Sequence, residues 1–272
     1  MCSSDLALIV TLILGGQAGS AAGPTNVSGN ISANTTWTTT LSPYVVTGDV
    51  RVLPGVTLTI QPGVEVRFSY TDGADLGNYP TKTELIVEGR LNAVGTATQG
   101  ITFTSNRSGP IGADWGEIAL HSSDNTLSWA TIRYATYGIR LYGTSGSPVA
   151  NNQISSVTLQ HCGVETLAAG TPPCVGGGAS AIGGAIYGEY VSNSRFANVT
   201  INYCERGIWL ADADSNQIET CNIQNTQQSA IRLSGDSDQN SVNATTIAHI
   251  ASYGIECWAS SATPGNDNFI YG

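Results

Sequence analysis

The sequence predicts an all-β solenoid, a single elongated domain in which short parallel strands stack as about ten successive coils. Three observations lead to this prediction. A set of residues recurs at a fixed offset, apolar and polar residues alternate within each copy, and turn-forming residues occupy the same place in every copy. A period in the low twenties is typical of solenoids, because each repeat buries its apolar face only against its neighbours.

The recurrence is clearest near the end of the chain, where seven residues are followed 24 positions later by similar ones. The two sets are Asn216, Ile218, Cys221, Ile223, Ala230, Ile231 and Leu233, and Asn240, Val242, Thr245, Ile247, Gly254, Ile255 and Cys257. Earlier copies start at Asn125, Asn152 and Ser194. A β-sandwich of irregular strands, the alternative fold, does not explain such columns at fixed offsets.

Each copy contains two short strands. In the first, Val157 and Leu159 alternate with Thr158 and Gln160, which is the period of a β-strand. The second strand follows after a bend, and its apolar residues should stack from coil to coil. The predicted buried column is Ile139, Ile186, Ile208, Ile231 and Ile255.

Two corner columns complete the coil. The Asn column fits a turn at which stacked side-chain amides hydrogen-bond along the axis, and Asn tolerates the left-handed backbone that such corners need. The Gly column fits a tight corner without room for a larger side chain. The columns are Asn125, Asn152, Asn216 and Asn240, and Gly138, Gly207 and Gly254.

The pattern Asn-x-Ile/Val, then Val-x-Ile, then Gly-Ile-x-Leu resembles the repeat of right-handed parallel β-helix proteins, the pectate-lyase-like superfamily. Residues 42–50, the Pro-Gly-Val turns at 54–56 and 62–64, and the Asp-Trp-Gly at 114–116 resemble the opening coils of secreted bacterial β-helix proteins. The resemblance spans about residues 30–272 and implies the fold. It does not decide the activity, because this fold carries lyases, hydrolases, adhesins and surface proteins.

The two ends and one internal segment depart from the repeat. Residues 1–22 hold a short apolar stretch followed by small residues, which predicts a secretory signal cleaved after Ala22. The β-helix then spans residues 23–272, with a Pro- and Gly-rich loop insertion at about 163–184. A further copy of the repeat begins at Asn268, so we expect the biological chain to continue past residue 272.

Composition limits the partners. Only 11% of the residues are charged, the net charge is −10, and no basic cluster occurs. Nucleic acid and anionic membranes are therefore not expected partners. Together with the signal sequence, this predicts a secreted or cell-surface protein that does not insert into the membrane after signal cleavage.

Five cysteines remain after removal of the signal, and an odd number argues against a complete disulfide framework. Cys221 and Cys257 fall in inward positions and are predicted to be buried thiols. Cys162 and Cys174 flank the insertion, so a Cys162–Cys174 disulfide is favoured. The alternative is Cys162–Cys204, since these two share a column on adjacent coils about 5 Å apart.

The outward position of the second strand carries the most suggestive chemistry. Its residues are Arg140, Tyr187, Trp209, Arg232 and Glu256, which we call the stripe. Aromatic rings stack on sugar faces, and Arg grips carboxylates in a bidentate fork. The stripe is therefore a candidate polysaccharide-binding site; the alternative is a solvated sheet face with incidental aromatic residues.

Two other columns have plainer interpretations. We expect the polar ladder to solvate its sheet, and we expect the mixed His and Tyr column to be a stacked corner rather than a set of acid–base groups. The ladder is Thr131, Thr158, Thr200, Asn222 and Thr246, and the mixed column is Tyr134, His161, Tyr203, Asn225 and His249.

Four acidic residues recur in one turn on successive coils: Asp212, Asp214, Asp236 and Asp238. Carboxylates gathered in this way repel one another unless they are solvated or bridged by a cation. Because Ca²⁺ prefers oxygen ligands of this kind, they form a candidate calcium site. The alternative is an exposed acidic turn, and no other cofactor is indicated.

The sequence lacks the Asn-Thr-Asp, Asp-Asp and Gly-His-Gly motifs that β-helix polygalacturonases carry. We therefore interpret the protein as a non-catalytic β-helix that binds polysaccharide or mediates attachment. The alternatives are a polysaccharide lyase or glycoside hydrolase acting in a groove along the helix, and a structural protein that self-associates end to end.

Overall fold

The structure, a computed structural model, describes residues 23–73, 76–163, 183–259 and 267–271. The predicted signal sequence and nearly all of the predicted insertion, with Cys174, lie outside these residues. The described part of the chain contains no helix with the length and hydropathy of a membrane span.

Strands make up nearly all of the regular structure, with one short 3-10 helix at Thr39–Leu41. In chain order the strands are β1 (Thr25–Ile31), β2 (Thr35–Trp37), β3 (Tyr44–Val52), β4 (Thr57–Ile60), β5 (Glu65–Phe68), β6 (Leu85–Val87), β7 (Arg90–Val94), β8 (Ile101–Ser105), β9 (Ile118–Leu120), β10 (Thr126–Arg133), β11 (Tyr137–Tyr142), β12 (Val149–Ala150), β13 (Gln153–Gln160), β14 (Gly184–Glu189), β15 (Val191–Ser192), β16 (Arg195–Ala197), β17 (Thr200–Asn202), β18 (Ile208–Ala211), β19 (Gln217–Glu219), β20 (Asn222–Thr226), β21 (Ile231–Gly235), β22 (Ser241–Asn243), β23 (Thr246–Ile250), β24 (Ile255–Ala259) and β25 (Phe269–Tyr271).

All strands except β12 and β15, which pair as a separate two-stranded sheet, form three parallel faces, here called A, B and C. The chain passes through each face once per coil. Face A contains β2, β4, β7, the first halves of β10 and β13, β16, β19, β22 and β25. Face B contains the first halves of β1 and β3, β5, β8, the second halves of β10 and β13, β17, β20 and β23. Face C contains the second halves of β1 and β3, β6, β9, β11, β14, β18, β21 and β24. This is the parallel β-helix that the repeat predicts.

The core lies inside the coils, where alternate residues of each strand point inward. In face C the predicted column is in register, and Ile139, Ile186, Ile208 and Ile231 are buried. Ile255 continues the column but is only partly buried, and Cys257 is exposed, so the prediction of a buried Cys257 thiol was wrong. Among the described residues, β24 pairs only with β21, which leaves these two side chains packed from one side.

The Asn column forms a buried hydrogen-bonded ladder, as predicted. The backbone N–H and Nδ2 of Asn216 both donate to Oδ1 of Asn240, at 2.9 and 3.0 Å. Asn125 donates to Asn152 in the same way, at 3.1 and 2.9 Å. Ser194 interrupts the ladder: its hydroxyl accepts the backbone N–H of Asn152 at 3.0 Å, and the Nδ2 of Asn152 is buried without a hydrogen-bond partner.

The left-handed residue at this corner is not the ladder residue itself, as the sequence had suggested, but the one before it. These residues have φ between 48° and 62°: Asp124, Asn151, Asn193, Ser215 and Gln239. The Gly column is tight at two of its three predicted positions: a Cβ would lie 2.4 Å from the Leu159 side chain at Gly138 and 2.0 Å from the carbonyl oxygen of Ala230 at Gly207. At Gly254 the prediction was wrong, since the nearest atom would lie 3.7 Å away.

Cys204 and Cys221 are buried free thiols, and Cys162 is buried and forms no disulfide with another described cysteine. Burial, together with a hydrogen bond to Cys162, raises the pKa of Cys204, so the two thiols meet on adjacent coils without forming the alternative disulfide. Burial also raises the pKa of Cys221 to about 11. The Cys162–Cys174 disulfide stays a prediction because Cys174 lies outside the described residues.

Candidate functional site

The stripe lies on the outward side of face C. Register pairs Arg140 with Tyr187, Tyr187 with Trp209, Trp209 with Arg232, and Arg232 with Glu256. Each of these residues stands between two inward residues of its strand, so the alternation that builds the core also points the stripe at solvent. The structure therefore brings all five predicted residues together in one row.

Side chains of the stripe contact one another along its length. The guanidinium carbon of Arg140 lies 4.9 Å from the ring centre of Tyr187. The rings of Tyr187 and Trp209 meet edge to face, with their centres 4.9 Å apart. Arg232 lies over Trp209 at 4.8 Å, and its Nε is 3.9 Å from a carboxylate oxygen of Glu256. Guanidinium and aromatic groups in this arrangement attract each other by cation–π interaction.

Trp209 is less accessible than the sequence suggests. A second guanidinium, that of Arg206, lies 5.2 Å from its ring centre, and its Nε1 donates to the hydroxyl of Ser234 at 2.7 Å. By contrast, the ring of Trp258 is 63% exposed and lies 5.0 Å from the guanidinium carbon of Arg232. Trp258, rather than Trp209, offers the open aromatic face in this part of the stripe.

Two cavities lie side by side here and share Trp209 and Arg232 as walls. The apolar-walled cavity has a volume of about 230 Å³; Trp209 and Trp258 line it, and its charged lining residues are Asp212 and Arg232. The polar cavity has a volume of about 150 Å³, and Arg206 and Glu256 also line it. Ligand sites generally combine such apolar walls with a few fixed polar groups.

Hydrogen bonds hold the polar cavity in shape. Arg206 Nε donates to Gln228 at 2.9 Å, and the hydroxyl of Ser229 donates to Glu256 at 2.7 Å. The Nε of Arg232 is buried and has no hydrogen-bond partner. Because this Nε is buried, a ligand carboxylate would meet the outer guanidinium nitrogens of Arg232, whose side chain is 23% exposed.

Sequence reasoning missed Arg206 and Trp258. Trp258 stands 24 positions after Ser234, and the two are paired in register, so extending the column arithmetic by one more outward position would have found it. Arg206 occupies a corner before β18 and has no periodic signal.

The other end of face C holds three buried carboxylates that the sequence did not single out as a site. Asp49, Glu84 and Glu117 stand on successive coils beneath residues 76–83, which we call the covering segment. Gly77 lets this segment approach, since a Cβ there would lie 1.6 Å from Oε2 of Glu84. The backbone N–H groups of Leu76 and Tyr79 donate to Asp49 and Glu84, at 2.7 and 3.1 Å.

Burial changes the acidity of this group. Desolvation, with smaller contributions from the nearby carboxyls of Glu117 and Asp49, raises the pKa of Glu84 to about 8. Desolvation also raises the pKa of Glu117 and of Asp49. One carboxylate oxygen of Glu84 and one of Glu117 are buried without a hydrogen-bond partner, so these groups favour the protonated form.

Arg140 belongs to this buried cluster as much as to the stripe. Its guanidinium lies 3.7 Å from Glu117 and 4.4 Å from the ring centre of Tyr142. The hydroxyl of Tyr142 donates to Glu117, and Asn78 of the covering segment donates to the same carboxylate at 3.0 Å. Arg140 is therefore occupied by protein groups, and the accessible part of the stripe is its Trp209-to-Glu256 end, beside Trp258.

The four predicted calcium ligands do not meet at one point. The backbone N–H of Asp236 donates to Oδ1 of Asp212 at 2.9 Å, and that of Asp238 donates to Asp214 at 2.8 Å. The described residues contain no group of three or more carboxylate, imidazole or thiol side chains spaced to hold one metal ion. The carboxylates thus link adjacent coils, and calcium binding stays a prediction.

The mixed His and Tyr column is a stacked corner. The rings of Tyr134 and His161 lie 5.5 Å apart and nearly parallel, as do those of His161 and Tyr203 at 5.4 Å. Burial lowers the pKa of His161. The polar ladder is in register on face B, from Thr131 through Thr158 and onward.

Comparison with known proteins supports the fold. Residues 92–270 match the family model described as a right-handed β-helix region. The searches of curated proteins and of solved structures found no match. Because the family match covers more than half of the chain, and the three faces are built as such a helix requires, this chain belongs to the right-handed β-helix family.

Proposed function

We propose that this protein is a secreted or cell-surface β-helix that binds acidic polysaccharide without cleaving it. The observation that supports the proposal best is the pair of adjacent cavities sharing Trp209 and Arg232. One cavity offers aromatic walls to a sugar ring, and the other offers guanidinium groups to a carboxylate. A uronate residue carries both features on one ring.

The row geometry also suits a polymer. Successive coils are about 5 Å apart, which is close to the length of one sugar residue in an extended chain. Trp258 is the exposed anchor, because its 63% exposed ring would lose contact with water on stacking. Arg232 lies between the rings of Trp209 and Trp258, where its fork is held in place for a carboxylate.

The test is isothermal titration of the purified protein with polygalacturonate and alginate oligosaccharides. Trp258→Ala should weaken binding about 5- to 100-fold, corresponding to about 1–3 kcal/mol for a central aromatic anchor. Arg232→Lys should weaken it as well, because Lys lacks the planar fork. Arg195→Lys is the matched control, since Arg195 is paired with Glu219 on face A, away from the stripe.

Three results would contradict the proposal. Absence of binding to either uronate series, with a folded protein, would remove its ligand. Equal affinities of the Arg195→Lys and Arg232→Lys variants would remove the role of the stripe. Release of unsaturated uronates, detected by their ultraviolet absorbance, would replace binding by lyase activity, and the same titration would then show heat of turnover.

A further inference from the structure

The largest cavity described in this protein lies away from the stripe, at the corner between faces A and B. Its volume is about 410 Å³, within the range of small-molecule sites. Trp129, in the middle of β10, forms one side of it, and the side chain of Trp129 is 45% exposed.

Trp129 is an unusual choice for its position. Its backbone is left-handed, with φ of 49°, a conformation that is costly for a bulky residue. The equivalent corners of the next four coils are also left-handed, but they hold small or polar residues: Ser156, Asn198, Thr220 and Ala244. An exposed ring gains little from the core, so the core does not explain a Trp at this corner.

A connecting segment that crosses the corner encloses the cavity from one side. The segment between β7 and β8 passes over the corner and supplies the opposite wall, through Thr96 and Ala97. It approaches closely because of two glycines: a Cβ on Gly95 or Gly100 would lie 2.5 or 3.2 Å from the carbonyl oxygen of Trp129. The floor consists of Thr131 and Thr158 on the polar ladder.

Four of the polar side chains on the walls and floor of this cavity are uncharged and are not engaged by other side chains. Thr131, Thr158, Ser156 and Asn198 line it and make no side-chain hydrogen bond with another described residue. The lining contains no charged side chain among the residues that the structure describes. A charged ligand would therefore find no counter-charge, whereas hydroxyl groups would find donors and acceptors.

We propose that the corner cavity is a second and separate binding site, for an uncharged saccharide whose ring stacks on Trp129. The apolar face of such a ring suits the indole, and its hydroxyls suit the Thr, Ser and Asn side chains on the floor. The site does not depend on the stripe, which lies on face C and takes its specificity from charge.

The test is isothermal titration with cellohexaose, laminarihexaose, mannohexaose and xylohexaose, each measured separately. Binding of at least one of them is expected, and Trp129→Asn should weaken it at least tenfold. Asn is the residue at the equivalent corner of a neighbouring coil and tolerates the left-handed backbone. The melting temperature of this variant should therefore equal or exceed that of the parent protein, a result that a purely structural Trp129 would not give.

Two further variants keep the test specific. Thr158→Val, which removes one hydroxyl from the floor at nearly constant shape, should also weaken binding. Trp258→Ala, which removes the exposed Trp beside the stripe, should leave the affinity for the uncharged oligosaccharide within twofold. The proposal is overturned if none of the four oligosaccharides binds, if Trp129→Asn binds as well as the parent, or if Trp258→Ala weakens binding equally.

Discussion

Replacing Glu84 with Gln should make the protein markedly more resistant to alkaline pH. In the native state Glu84 is fully buried beneath the covering segment, beside the carboxyls of Asp49 and Glu117. Its pKa is raised from 4.5 to about 8. A carboxyl with a raised native pKa binds its proton more tightly in the folded state, so the stability that it contributes is present at low pH and is lost as pH rises toward 8.

The size of the effect follows from the two pKa values. The difference between 4.5 and about 8 corresponds to a loss of about 4 kcal/mol of stability between pH 5 and pH 9, at about 1.4 kcal/mol per unit. For a chain of this size that is about 10 °C in melting temperature. Gln has the same shape without the ionisation, so the Glu84→Gln variant should lose this part of the pH dependence.

The assay is thermal unfolding followed by circular dichroism across pH 5 to 9, for the parent protein, Glu84→Gln and Glu88→Gln. Glu88 lies in the next turn of the chain, is part-exposed and pairs with Arg51 at 3.4 Å, so its removal should change stability by less than about 1 kcal/mol at any pH. Parallel pH profiles for the parent and Glu84→Gln would refute the argument from burial.

Three other substitutions or additions test the fold and the metal prediction. Ile231→Asp should leave the domain unfolded at temperatures at which the parent protein is folded, because an unpaired charge in the buried column costs several kcal/mol. An unchanged melting temperature would contradict the assignment of this column. Ser194→Asn should raise the free energy of unfolding by about 1 kcal/mol, because it gives Nδ2 of Asn152 an acceptor, whereas Ser194→Ala should lower it. The opposite order of the two variants in urea unfolding would show that the unpaired Nδ2 does not reduce stability. If calcium binds at the pairs Asp212–Asp236 and Asp214–Asp238, millimolar Ca²⁺ after chelation should raise the calorimetric melting temperature; no shift, or an equal shift in an Asp212→Asn/Asp236→Asn double variant, would exclude that site.

The repeat made the face C columns predictable. Inward and outward positions alternate, and equivalent positions on successive coils are 24 residues apart in this part of the chain. Arg232 and Glu256 could therefore be placed side by side from the sequence alone. The Asn ladder followed from the same offset. The offset does not determine the backbone conformation at each corner. For this reason the sequence predicted a left-handed backbone at the Asn ladder residues, whereas the residue before each of them adopts it.

The remaining features depend on contacts that leave no periodic trace. The covering segment is a loop outside the repeat, and it buries Glu84. Gly77 and Asn78 of this loop do not recur at a fixed offset, so the sequence pattern does not predict their contacts. Arg206 reaches Trp209 from a corner, so the ring seemed open when only the strand pattern was considered. Trp129 precedes a column of small or polar residues at the equivalent corners of the next four coils. The alternation within each strand does not show that these five corners are equivalent; the register between strands does.

The backbone N–H groups of the Asn ladder all donate in one direction along the axis, each to the side chain at the same corner of the following coil. The backbone N–H of Leu91 donates to Asn125 at 2.7 Å, and that of Asn240 donates to Asn268 at 3.0 Å. From Leu91 to Asn268, each coil therefore presents a backbone donor to the coil that follows it and a side-chain acceptor to the coil that precedes it. A whole coil, such as residues 217–240, can then be duplicated or deleted while the groups at the new junction stay the same. Duplication or deletion of one coil would therefore lengthen or shorten the helix in a single step of about 5 Å, without redesigning either neighbour.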